Sequence, residues 1–171
     1  VAIRQSFSEP PTLVRLDLGS GTAAALSPFN DAPLAAIRQG KVESVTYRGA
    51  RNADIQMWVV YPPDFDPAKK YPVFMLLHGG PHTAIQDAVH WRWNAQVFAN
   101  WGYVVTWHNF HGASGFGQVF TDEINPDRIT LPYEDTIKAA DWLIAQPWVD
   151  RERLVAGGGS YGGGGGRGQG Y

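Results

Sequence analysis

Arg153-Leu154-Val155-Ala156, running into Gly157-Gly158-Gly159-Ser160-Tyr161-Gly162-Gly163, is the stretch whose reading decides the fold. The first four residues read as a short buried strand. Within the glycines sits Gly158-x-Ser160-x-Gly162, the spacing of a nucleophile elbow. The reason for that spacing is steric. A serine on a very tight strand-to-helix turn takes strained backbone angles, so its neighbours two before and two after must lack side chains. The strain lifts the hydroxyl clear of the sheet and turns the next backbone N–H, that of Tyr161, towards the oxygen of a bound carbonyl. A flexible Gly/Ser linker has the same composition. The five residues alone leave both readings open, and the preceding chain has to choose between them.

With 171 residues, 44% hydrophobic and 18% charged, the composition is that of one ordinary globular domain. The formal net charge of -2 comes without a basic run, so nucleic acid is not an expected partner. No stretch approaches the roughly 18 apolar residues of a membrane span, so no membrane partner is expected either. Val1-Ala2-Ile3-Arg4-Gln5 lacks the pattern of a signal peptide, as a mature chain also would. Zero cysteines exclude disulfides and thiol chemistry. The compartment stays open between cytoplasm and periplasm. Seven tryptophans, from Trp58 to Trp148, suit core and groove lining.

In chain order, Val1-Ala2-Ile3, Thr12 to Asp17 and Ala23 to Leu26 are short strand-like runs around a Gly-rich turn, which predicts an antiparallel meander. Three strands cannot bury a core alone. Ser27 to Pro33 is a linker with turn residues. Val42 to Tyr47 and Ile55 to Tyr61 alternate and pair as a hairpin across Arg51-Asn52-Ala53-Asp54. Pro72 to Leu77 is a continuous apolar run, as expected of a strand buried on both faces. Trp91 to Asn100 has helical spacing and stops at Trp101-Gly102. Tyr103 to Trp107 is the next buried strand. Pro132 to Gln146 is helical, with Glu134 and Asp135 suited to its N-terminal dipole. Strands alternating with helices on this scale mean an α/β layer with a largely parallel sheet.

His78-Gly79-Gly80-Pro81 follows the first buried strand, and the Ser160 turn follows another two strands later. In α/β-hydrolases a glycine-rich turn after the third strand supplies a second oxyanion donor. Five ordered motifs now stand together: His78-Gly79-Gly80-Pro81-His82, Gly112-Ala113-Ser114-Gly115-Phe116-Gly117-Gln118, Pro132-Tyr133-Glu134-Asp135, Gln146-Pro147-Trp148-Val149-Asp150 and Gly158-Gly159-Ser160-Tyr161-Gly162-Gly163. In these the chain resembles the prolyl oligopeptidase family of serine peptidases, nearest to its acylaminoacyl-peptidase and dipeptidyl-peptidase-like members. Ser8 to Leu13 with Leu16-Asp17 also resembles the last blade of the β-propeller that precedes the hydrolase domain there.

The resemblance implies residues 1–30 as the end of a propeller, 31–41 as a linker and 42–171 as the N-terminal part of an α/β-hydrolase domain. It makes Ser160 the nucleophile, Gly158 and Gly162 the elbow glycines, and the N–H groups of Gly80 and Tyr161 the oxyanion hole. It implies hydrolysis of short peptides through an acyl-serine intermediate, with no cofactor and no metal. A carboxylesterase of the same fold and a non-catalytic binding fragment are the alternatives.

Two departures stand out. Phe110-His111-Gly112 replaces the Pro-Arg-Gly of many relatives. After Gly163 the sequence runs on in glycine to Gly170, and each glycine costs about 1 kcal/mol against alanine inside a helix, so no stable helix is expected after the elbow. A serine nucleophile also needs a base and an orienting carboxylate, in the order Ser, acid, His in this fold. All five histidines precede Ser160, and no Asp or Glu follows it. The expectation is therefore an incomplete sheet that ends just past the elbow. The remainder of the hydrolase domain would be its partner, and a homo-oligomer of the complete protein stays open.

Overall fold

The computed structural model describes residues 1–167. Strands β1 (Ala2–Ser6), β2 (Glu9–Leu16) and β3 (Ala23–Ala25) form the expected antiparallel meander, in that order. Asp17 shapes the β2–β3 turn, its carboxylate accepting from the N–H groups of Gly19 and Ser20 at 3.0 and 2.8 Å. Little of this sheet is buried, but its β1–β2 turn is anchored to the rest. The Phe7 ring lies 5.3 Å from that of Trp58, and the Phe7 N–H donates to Asp87 at 2.7 Å. The following segment carries one helical turn, α1 (Asp31–Ala35). The side chain of Gln96 then holds both the N–H and the carbonyl of Gly40.

The main sheet contains β4 (Val42–Arg48), β5 (Asp54–Val60), β6 (Tyr71–Leu77), β7 (Val104–His108) and β8 (Val149–Gly158), in spatial order β4-β5-β7-β6-β8. The β4–β5 and β5–β7 pairs are antiparallel; β7–β6 and β6–β8 are parallel. A 3-10 turn at Ala50–Asn52 closes the β4–β5 hairpin. Between the parallel strands the chain crosses through α2 (Ala95–Asn100), then through α3 (Gln118–Asp122) and α4 (Thr130–Ile144). On one face Ala139 and Leu143 of α4 pack on Met57, Val73, Met75 and Val104. On the other, Ala95 and Ala99 of α2 pack with Phe7 on Leu76, Val105 and Trp107. Burial on both faces explains the near-continuous apolar runs of β6 and β7.

Five readings differ from expectation. The sheet is mixed rather than largely parallel, two of its four pairings being antiparallel. Arg153 to Ala156 form strand but are not buried, because β8 is the outer strand among the described residues: Arg153, Val155 and Ala156 are exposed. Helix α2 starts at Ala95 because Asn94 caps it, its side chain accepting from the Gln96 N–H at 3.0 Å. Trp91 to Asn94 are irregular. Asp135 does not serve the α4 dipole: its carboxylate is fully buried and bonded elsewhere. Most informative is α5 (Tyr161–Arg167), a helix where glycine content argued against one. A Cβ on Gly162 would lie 2.1 Å from the Leu77 carbonyl oxygen, and one on Gly163 would lie 3.1 Å from that of Gly158. The bareness that lowers helix propensity is what lets α5 cross so close to β6 and β8. Gly168 to Tyr171, the end of the glycine-rich tail, lie outside the described residues.

Candidate active site

Ser160 joins β8 to α5 with φ +58°, a left-handed angle that costs a non-glycine residue about 1–2 kcal/mol. The crossing enforces it. A Cβ on Gly158 would meet the Leu77 carbonyl oxygen at 2.2 Å, and the matching approach at Gly162 is 2.1 Å. Both elbow glycines are therefore required by the same backbone carbonyl of β6. Ser160 is exposed, and its hydroxyl has no hydrogen-bond partner among the described residues.

The turn after β6 comes directly against this serine. A Cβ built on Gly79 would sit 3.4 Å from the Ser160 Cβ and 3.2 Å from the Gly159 carbonyl oxygen. Gly79 was legible only as part of the motif; its contact with the serine was not. Gly80 follows with φ +129° before a cis bond to Pro81. The N–H of Gly80 and that of Tyr161, the first residue of α5, bond to no protein group among the described residues. First-turn helical N–H groups lack an intrahelical acceptor. The two expected oxyanion donors thus come from the two segments that meet at Ser160. The Tyr161 side chain leaves in the other direction, its hydroxyl donating to the Arg128 carbonyl. Burial raises its phenol pKa.

Two buried histidines, His78 and His108, and the exposed His82 surround the turn. The His78 ring stacks on Phe110 at 4.0 Å and 6°. Its Nδ1–H donates to the Gly79 carbonyl at 2.8 Å, leaving Nε2 buried without a partner among the described residues. His108 donates from Nε2 to Thr136, whose own hydroxyl is given to the Pro132 carbonyl. Desolvation, with His78 adding to it, lowers the His108 pKa to about 4. His82 holds the Gly112 carbonyl at 3.1 Å. None of these rings bonds to Ser160, so the described residues contain no base in contact with the hydroxyl. Nor do they contain a group of three or more metal-ligating side chains.

Below the turn, Asp135 gathers the segments that follow β4 and β7. One carboxylate oxygen accepts from Ala50 N–H at 2.7 Å, and the other from His111 N–H and His111 Nδ1–H, both at 2.7 Å. His111, which replaces the expected arginine, is thus consumed by an internal pair and is 1% exposed.

Two clefts flank the elbow and share Leu77. One, about 460 Å³, is walled by Phe110, Ile129, Pro132, Tyr133 and Tyr161 and is largely apolar. The other, about 500 Å³, contains Ser160 itself with Gly79, Thr83, Arg92, Trp93 and Trp107. Trp93 lies against Gly159, 3.6 Å from where its Cβ would be. The helical spacing read from Trp91 put Arg92 and Trp93 inside a helix, whereas both lie in the irregular segment before α2 and so reach the cleft.

A strand–serine–helix turn at the ends of parallel strands, facing a glycine turn from the neighbouring strand, defines an α/β protein of the hydrolase class. Known proteins narrow that class. The Peptidase_S9 family, described as the prolyl oligopeptidase family, matches residues 89–164. A probable dipeptidyl-peptidase 5 from Aspergillus terreus is 50% identical over 110 residues, 64% of this chain and 15% of its own length. The dipeptidyl-peptidase 5 of Porphyromonas endodontalis is 35% identical over 163 residues, 95% of this chain and 24% of its own. Among solved structures, Porphyromonas gingivalis dipeptidyl peptidase 4 superposes with a TM-score of 0.79 at 26% identity, covering 95% of this chain and 24% of that one. The chain belongs to the prolyl oligopeptidase family. It spans about a quarter or less of the length of these relatives.

Proposed function

We propose that this chain carries the nucleophile and oxyanion hole of a serine peptidase that hydrolyses short peptides, in the manner its dipeptidyl-peptidase relatives are named for. One observation carries the reading: Ser160 is held at φ +58°, its hydroxyl bonded to no described residue, against the Gly79-Gly80 turn. Ser160 Oγ attacks the scissile carbonyl and forms a tetrahedral adduct. Its oxyanion accepts from the N–H groups of Gly80 and Tyr161. Collapse expels the amine and leaves an acyl-serine, which water then hydrolyses. The proton of Ser160 passes to a histidine oriented by a carboxylate. In this reading both belong to the larger part of the relatives' length that this chain does not match. Residues 1–30 are then the end of a propeller, 31–41 a linker and 42–171 the N-terminal part of the hydrolase domain. The propeller would limit access to short peptides.

The test is hydrolysis of dipeptidyl and N-acyl-aminoacyl anilides, beside simple esters, by the native protein that carries these residues. Ser160→Ala is expected to remove about 10³-fold or more of kcat. Hydrolysis of esters alone would make it a carboxylesterase. Peptidase activity that survives in folded Ser160→Ala protein would overturn the assignment.

A further inference from the structure

The cleft that contains Ser160 is furnished with hydrogen-bond donors, and among the described residues no carboxylate lines it. Arg92 is exposed there and makes no ion pair with a described residue. His90, also on the wall, accepts the Trp93 N–H at Nδ1 at 2.9 Å. Its proton is therefore on Nε2, which makes that atom a donor. Trp107 is 4% exposed, and its indole N–H is buried with no partner among the described residues. The nearest acid in sequence, Asp87, is engaged by the Phe7 N–H. An unpaired guanidinium with neutral donors and aromatic walls is the chemistry of an anion site. Its planar fork fits a carboxylate with two parallel hydrogen bonds.

We propose that this cleft binds a peptide carboxylate, with Arg92 as its charge partner, and so selects peptides that carry an anionic group close to the scissile bond. The proposal rests on the reading of Ser160 as nucleophile only for the position of that bond. The cleft that holds Arg92 also includes Ser160 and Gly159, so the carboxylate and the bond share one cleft. Two sources share this chemistry: the C-terminal α-carboxylate of a very short peptide and the side chain of Asp or Glu.

The test is calorimetric titration of Ser160→Ala protein, which needs no turnover. The probes are N-acetyl-Gly-Gly-Leu as the free acid, the same peptide as its amide, and N-acetyl-Gly-Gly-Glu amide. At least one acidic probe is expected to bind about tenfold or more tightly than the neutral amide, the scale of one charge-assisted contact. Which acidic probe wins distinguishes the two sources. Arg92→Met is expected to erase the preference while the unfolding midpoint stays unchanged. Arg92→Lys is expected to retain part of it. In unsubstituted Arg92 protein the preference is expected to shrink between about 20 mM and about 500 mM salt. Equal binding of acid and amide, a preference that survives in Arg92→Met, or no binding in any arm would each overturn the proposal. Loss of turnover in the native protein, by contrast, bears on Ser160 and leaves these affinities in place.

Discussion

Ser160 takes its left-handed backbone because strand, turn and helix all pass within van der Waals reach of the Leu77 carbonyl. The requirement falls on Gly158 and Gly162, not on the serine. Gly162→Ala sets a methyl 2.1 Å from that oxygen, and backbone rather than a flexible side chain must yield. A loss on the order of 2–3 kcal/mol in urea unfolding is expected, the usual scale of overpacking. Gly164→Ala, with nothing within 4 Å of the added atom, should cost far less and serves as the control. A second residue-level prediction concerns acid. The pKa of His108 is lowered to about 4 by burial, while an unfolded histidine titrates near 6.5. Between those values the unfolded chain binds the extra proton, so stability is full above about pH 6.5 and falls as pH drops towards 4. The loss attributable to this ring is roughly 2 kcal/mol by pH 5. Denaturation midpoints at pH 7 and pH 5 should therefore converge in His108→Gln relative to wild type. An unchanged pH difference in the variant would remove His108 as the cause. The elbow glycines were legible in the sequence because their spacing states the steric demand. The tautomers and burial of His78 and His108 were not, because a histidine at a strand end looks alike whether buried or exposed.

Among elements, α4 and the loop after β7 are tied by one carboxylate. Asp135→Ala would strand the buried N–H groups of Ala50 and His111, each costing about 1–3 kcal/mol when unsatisfied. Asp135→Asn keeps an acceptor and should cost less. Chymotryptic cleavage near Phe116, in the loop released by the change, would report the difference: fast in the alanine variant, slow in wild type. Equal cleavage in both would mean that other contacts hold the loop. Sequence reading placed α4 within two residues and found β6, β7 and the end of β8 as strands, since apolar runs and a helical period carry that information, but not their order in the sheet. It assigned Asp135 to the helix dipole because an acid in a first turn ordinarily serves it. Only the fold brings Ala50, some 85 residues distant, under the same carboxylate. Helix α5 was misread for a related reason. Propensity is local, whereas the close crossing that favours glycine there is tertiary.

At the scale of the molecule, β8 is the outer strand of the five-stranded sheet among the described residues, with Val155 49% exposed. An apolar sheet edge is a template for pairing with another chain. The 171-residue polypeptide on its own is accordingly expected to self-associate, with sedimentation that depends on concentration. Val155→Lys should reduce that association without unfolding the protein. A monodisperse monomer at high concentration would mean that this edge is already covered. The solved dipeptidyl peptidase 4 shares the fold, this chain covers about a quarter or less of its relatives' length, and the base and acid proposed for Ser160 are assigned to that further length. The most direct test of the nucleophile is reaction of the native protein with a fluorophosphonate, followed by trypsin and mass spectrometry. Cleavage after Arg153 and Arg167 releases residues 154–167, a peptide whose one serine is Ser160. A stoichiometric adduct on Ser160, absent after heat denaturation, is the expected result. An unmodified peptide from folded protein that hydrolyses peptides, or an adduct on another serine, would contradict it.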